Sequence, residues 1–176
     1  FYQRNIIFFD DKGSILNFNN KSKLKWKINN YSKSEKKIGP LISMMHNEKQ
    51  IFASDNLSKL YSIDVNSGKV IWSKNNKSPF NSEIKFFDNK IFIVDSNNSL
   101  NCFSAVDGSL IWKHETEKSF VNSSKKLSIL IKDKIVIFSS SLGDITAVDA
   151  INGSLLWQRF TLNSKIYEDI MTLKIS

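Results

Sequence analysis

Two histidines, one cysteine and 17 acidic side chains are what this 176-residue chain offers for chemistry. His46 and His114 stand 68 residues apart, and no His-Glu-x-x-His spacing brings two imidazoles onto one metal. His46 falls in a polar turn, His46-Asn47-Glu48-Lys49, and His114 follows a tryptophan at a strand end, so both read as surface residues. Cys102 alternates with apolar neighbours, which marks a buried, inert thiol rather than a nucleophile. A single cysteine makes neither an internal disulfide nor a Cys-based zinc site. There is no Gly-x-Ser-x-Gly elbow, glycine-rich phosphate loop or calcium loop. The carboxylates recur instead: Asp10, Asp55 and Asp95 at strand-to-strand turns, Asp64 and Asp149 four residues before a glycine. Groups that recur along the chain serve turn hydrogen bonds rather than one reaction centre. No catalytic, metal or cofactor-binding residue is assigned.

The elements that hold these residues repeat. Trp26, Trp72, Trp112 and Trp157 are separated by 46, 40 and 45 residues. Three of them lie four residues after a glycine, in Gly68-Lys-Val-Ile-Trp72, Gly108-Ser-Leu-Ile-Trp112 and Gly153-Ser-Leu-Leu-Trp157. The first copy, Ser22-Lys-Leu-Lys-Trp26, has serine at the glycine place. Ahead of each lies an apolar run, a polar turn and a second short apolar segment, as in Ile91–Val94, Asp95–Ser99 and Leu100–Phe103.

Short segments rich in Ile, Val, Phe and Leu, separated by Asn/Asp/Ser/Gly clusters, are strands. No window carries the sustained 3.6-residue apolar period that a helical repeat needs. Strands are expected at Ile84–Phe87, Lys90–Val94, Leu100–Phe103 and Ser109–Lys113, with a tight hairpin at Phe87-Asp88-Asn89-Lys90. Four antiparallel strands in every 40 to 46 residues define a β-propeller blade. The fold class is therefore all-β, an incomplete ring of about three and a half to four blades. Blades are expected at 1–30 (incomplete), 38–75, 80–115 and 121–160, with 166–176 opening another. Eight such blades would make a parent of on the order of 350 residues. Each glycine closes a turn where left-handed backbone is cheap. The outer strand that follows is apolar on both faces, Val70 and Trp72 on one and Ile71 on the other, and is expected to be covered on both.

Ala147-Val148-Asp149-Ala150-Ile151-Asn152-Gly153-Ser154-Leu155-Leu156-Trp157 resembles the tryptophan-docking repeat of PQQ-like propellers. Ser62-Ile63-Asp64-Val65-Asn66-Ser67-Gly68-Lys69-Val70-Ile71-Trp72 keeps the same Asp, Gly and Trp. The third copy has Ser104 at the Asp place, and the first has Asn19 nearest to it. Compact blades without long insertions are most similar to the BamB-type lipoproteins of outer-membrane β-barrel assembly. That resemblance implies a non-catalytic periplasmic scaffold that binds a barrel-assembly protein through loops and strand edges. It also implies outer-membrane association through a lipid anchor outside this segment. The family also holds PQQ- and calcium-dependent dehydrogenases and sensor ectodomains of receptor kinases. The dehydrogenases usually carry a vicinal cysteine pair that a single cysteine does not supply.

The net charge of +8 comes from 25 basic residues, of which only Arg4 and Arg159 are arginines. Bidentate recognition of bases and phosphates favours arginine, and the lysines are scattered along turns, so no nucleic-acid partner is expected. The run Lys33-Ser34-Glu35-Lys36-Lys37 reads as a solvated loop between blades. The longest apolar runs are four residues, such as Ile6–Phe9, far short of the roughly 20 that a membrane helix requires.

Overall fold

A computed structural model of the chain describes residues 5–116 and 125–160. It is built from consecutive antiparallel sheets, each formed by strands adjacent in sequence. The first sheet has three strands, β1 (Ile6–Phe9), β2 (Ser14–Phe18) and β3 (Leu24–Asn29), in the order β1-β2-β3. A helix, α1 (Lys33–Ile38), leads to the second, β4 (Ile42–His46), β5 (Gln50–Asp55), β6 (Lys59–Asp64) and β7 (Val70–Asn75). The third holds β8 (Lys85–Phe87), β9 (Lys90–Val94), β10 (Ser99–Ser104) and β11 (Leu110–Glu115). The fourth holds β12 (Ile129–Lys132), β13 (Ile135–Ser139), β14 (Ile145–Asp149) and β15 (Leu155–Arg159). These are propeller blades, and among the described residues no sheet closes on itself. The expected opening strand at 166–176 lies outside the described residues.

Apolar side chains that alternate along the middle strands hold the blades together. Ile51 and Ala53 of β5, with Tyr61 and Ile63 of β6, pack toward the first blade around Trp26 and Ile15. Phe52 and Leu60, which project the other way, meet Ile91, Ile93 and Phe103 of the third blade. Phe92, Val94, Leu100 and Cys102 then face Val136, Phe138 and Val148 of the fourth. A strand residue and its successor point to opposite faces, so one sheet serves two cores.

The outermost strands differ from the sequence expectation. Trp72 is only 9% exposed, but Val70 and Ile71 are 37% and 48% exposed, and Leu110, Ile111, Leu155 and Leu156 are similarly open. Two-sided cover holds for the middle strands alone. The physical reason is a bulge. Ser62 pairs with Trp72 and Ile63 with Val70, leaving Ile71 as an extra residue. The same shift occurs beside Trp26, Trp112 and Trp157. An extra residue breaks the two-residue alternation and bends the strand, so Val70 and Trp72 do not share a face.

The loop expected at 33–37 is a short helix. Ser32 caps it, its hydroxyl accepting from the Glu35 amide while the Glu35 carboxylate accepts from the Ser32 amide, the reciprocal pattern of a capping box. Gly39 ends it at φ 78°. Glu35 also binds Lys59 Nζ at 2.8 Å, which, with the Ser32 amide, holds its carboxyl down at about 2 against an ordinary 4.5. A depressed carboxylate contributes stability above its unfolded pKa and loses it as pH falls toward the folded value. Glu35→Gln is therefore expected to cost on the order of 1 kcal/mol at neutral pH. Urea titrations across pH should show that gap closing between about 4.5 and about 2. A gap unchanged at low pH would assign the loss to packing instead.

Candidate interaction surface

The residues singled out in the sequence meet in three joints, each shared by two blades. Trp26 Nε1 donates to the Val65 carbonyl at 3.0 Å, and Trp72 Nε1 to Ala105 at 3.1 Å. Trp112 Nε1 donates to Ile151 at 3.0 Å, one residue further along its turn than in the other two joints. In every case the acceptor belongs to the next blade. The glycine of that next turn lies under the indole. A Cβ on Gly68 would stand 2.7 Å from the Trp26 ring, one on Gly108 2.5 Å from Trp72, and one on Gly153 2.6 Å from Trp112. Glycine is thus required twice at these sites, for positive φ (72°, 71° and 75°) and for the close approach of the ring. The sequence reading supplied only the first reason.

Asp64 and Asp149 shape these turns. Asp64 Oδ1 accepts from the amides of Asn66 and Ser67, and Asp149 Oδ1 from those of Ile151 and Asn152. Asn19 Oδ1 takes the place in the first blade, accepting from Lys21 and Lys23, and Ser104 Oγ in the third, accepting from Val106. Hydrogen bonds donated by the Ser67 hydroxyl and amide hold the Asp64 carboxyl below the usual range. These are structural tasks. Trp157 occupies the same register as the others, opposite Ala147, but is 41% exposed, and no described residue accepts from its indole N–H.

On the opposite side of the blades, Asp10, Asp55 and Asp95 cap the turns between middle strands. Each accepts from the amides two and four residues on, and Ser140 does the same in the fourth blade. Asp55 and Asp95 are buried. The Tyr31 hydroxyl donates to Asp55 Oδ2 and lies 3.4 Å from the Tyr61 hydroxyl. Burial raises both phenols, Tyr61 to about 12. Tyr31 sits against Gly13, so this cluster fastens the first blade and the α1 connection to the second blade.

Burial pushes the Cys102 thiol up to about 12, and it faces the third core. His46 is exposed. His114, expected at the surface, is half-buried. Its Nδ1 lies 3.1 Å from the Gly153 carbonyl and its ring packs edge-on to Phe138 at 6.3 Å. Alternation within β11 contained the signal, since His114 is two residues beyond Trp112.

Among the described residues no group of three or more His, Cys, Asp or Glu could hold a metal ion. The first strand of each four-stranded blade reads Ile-Ser-Met-Met-His, Lys-Phe-Phe and Ile-Leu-Ile-Lys. β8 adjoins both β4 and β12, and Lys126 Nζ of the fourth blade donates to Ser43 Oγ of the second. None of these three strands carries an Asp or Glu, while Glu83 stands two residues before β8, within electrostatic reach of Lys126. Two clefts open beside the third blade. One of about 470 Å³ lies between the second and third blades, and one of about 420 Å³ lies between the hairpin ends of the third and fourth.

Repeated four-stranded blades joined by tryptophan on glycine define a PQQ-type propeller. A family model described as "Outer membrane protein assembly factor BamB" matches residues 11–171, and the chain belongs to that family. Among solved structures it is similar to BamB from Moraxella catarrhalis, with a TM-score of 0.75 and 14% identity over 89% of this chain and 46% of that one. It is similar to the computationally designed Ika4 protein, with a TM-score of 0.67 and 11% identity over 85% of this chain and 87% of that one. It is also similar to the quinohemoprotein alcohol dehydrogenase ADHIIG from Pseudomonas putida HK5, with a TM-score of 0.70 and 11% identity over 90% of this chain and 33% of that one. The chain spans about half the length of the BamB structure. No curated protein matches it.

Proposed function

We propose that the chain is part of a non-catalytic propeller scaffold that binds protein partners in outer-membrane β-barrel assembly, in the periplasm. The observation that carries this reading is the BamB family match over residues 11–171. It is supported by what the blades offer. The recurring polar residues are committed to turns and joints, while among the described residues the outermost strands leave one backbone edge without a strand partner. Such edges suit recognition by strand addition. The partner by this reading is the barrel-assembly protein. Purified full-length protein is expected to capture it, and loss of the gene is expected to lower the amount of folded outer-membrane barrels. Normal barrel levels together with no capture would end the proposal.

A quinone-dependent dehydrogenase is the second reading, favoured by the likeness to the quinohemoprotein enzyme. Titration of the full-length protein with PQQ and Ca²⁺ is expected to leave the quinone absorbance unchanged, with no dye-linked alcohol oxidation. Stoichiometric binding would reverse the order of the two readings.

A further inference from the structure

We propose that the α1 connection, from Lys33 to Leu41, is a membrane-contacting surface that seats on anionic phospholipid headgroups. The inference goes beyond the scaffold reading and does not rest on it. It begins from a break in the repeat. The connection from the second blade to the third, residues 76–84, turns its large apolar side chains inward, with Phe80 at 6% and Ile84 at 3% exposure. The connection from the first blade to the second does the opposite. Ile38 and Leu41 are each 64% exposed. They flank Gly39-Pro40, and a Cβ on Gly39 would meet nothing within 4 Å, so the tip that carries them stands clear of the blades.

The tip is held in place from several sides. α1 is capped at Ser32, Glu35 is tied to Lys59, and Pro40 is buried beside Gly13. The Leu41 amide donates to Asn56 Oδ1 at 2.8 Å. Two aliphatic side chains are displayed on a backbone that is already ordered, which spares the entropy that a flexible loop loses on binding. Loops fixed in this way by a rigid scaffold are where proteins place binding residues.

Charge selects the surface that the tip enters. Lys33 and Lys37 stand four residues apart, on one side of the helix, and both are exposed, while Lys36 is half-buried. None of the three makes an ion pair among the described residues. The carboxylates nearby are already matched: Glu35 by Lys59, and Asp10 by Lys27 at 3.4 Å. Asp55 is buried beneath the Tyr31 hydroxyl, and exposed Asp11 is offset by exposed Lys12 next to it. Lysines around an aliphatic tip match a bilayer interface, where the cations stay with the headgroups and the apolar side chains enter the acyl boundary. The segment holds no arginine, whose planar fork would select one phosphate, so a charged surface is the ligand. A nucleic acid would take the lysines and offer Ile38 and Leu41 nothing. An acidic protein is the competing occupant.

The test uses the full-length protein, prepared without any attached acyl chain, sedimented with vesicles of equal parts phosphatidylcholine and phosphatidylglycerol. Saturable binding is expected that falls with added salt and is lost on phosphatidylcholine alone. Lys33→Glu/Lys37→Glu should weaken it at least about tenfold, and Ile38→Ser/Leu41→Ser about tenfold, each with the thermal midpoint held. Lys21→Glu/Lys23→Glu, which reverses the same charge on the outer turn of the first blade, should retain binding. Equal binding to phosphatidylcholine alone, or no loss in the Lys33/Lys37 variant, would overturn the proposal. No loss in the Ile38/Leu41 variant, or binding to immobilised polyglutamate as tight as to the vesicles, would overturn it in favour of an acidic protein. Capture of the barrel-assembly protein is scored separately. Capture without vesicle binding rejects the lipid surface and keeps the scaffold reading. Vesicle binding without capture does the reverse.

Discussion

Replacing Trp72 with alanine is expected to cost the intact propeller about 3–5 kcal/mol in a denaturant titration. The indole is 9% exposed, stacks near Phe52 at 6.2 Å and donates to the Ala105 carbonyl. Truncation removes apolar contact from two blades at once and leaves that carbonyl without its donor. The cost should follow burial around the ring. Trp112→Ala should cost less, because its joint is more open, and Trp157→Ala, at 41% exposure, least within this segment. A loss below about 1 kcal/mol for Trp72→Ala would show that the indole is not what holds these blades together.

Gly108→Ala is expected to be nearly as damaging, at about 2–4 kcal/mol, although only one methyl is added. Two causes combine. The residue holds φ 71°, where a Cβ costs about 1–2 kcal/mol. The new methyl would also sit 2.5 Å from the Trp72 ring, so the indole must leave its seat. The second cause disappears if the ring is absent. In a Trp72→Ala background the same change should cost only the backbone part, a coupling that a double-mutant cycle measures directly. Strict additivity of the two changes would refute the contact. Gly39 is the control, since it has the same sign of φ with nothing within 4 Å of a Cβ. Gly39→Ala should show backbone strain alone.

Much of this architecture is legible in the sequence because it is local. Strand pairs form between neighbours in the chain, and their apolar alternation repeats every two residues. The turn caps follow the same logic. Asp64, Ser104, Asp149 and Asn19 each bond amides two to four residues away, so a recurring polar residue before a recurring glycine discloses them. The hairpin at 87–90 is local too, with Asp88 at φ 49° and Asn89 at φ 54°. The short α1 helix was within reach, since Ser32 and Glu35 spell its cap, but six residues carry no helical apolar period.

Sequence alone determined the repeat, the strands within it and the equivalence of the four tryptophans. Only the tertiary structure decided which glycine each indole meets. Trp26 lies on Gly68, Trp72 on Gly108 and Trp112 on Gly153, pairs that belong to different blades and not to the Gly-xxx-Trp element in which each is written. The blades likewise decided exposure: the outer strands look as apolar as the middle ones, but among the described residues no further strand stands outside them, so Ile71 and Leu110 face water. They also turned His114 inward and set Lys74 and Lys77 beside an open cleft. The physical reason is range. Hydrogen bonding and alternation act over a few residues and leave a periodic trace, whereas burial and charge pairing depend on what the neighbouring blade places alongside, some 40 residues away in the chain.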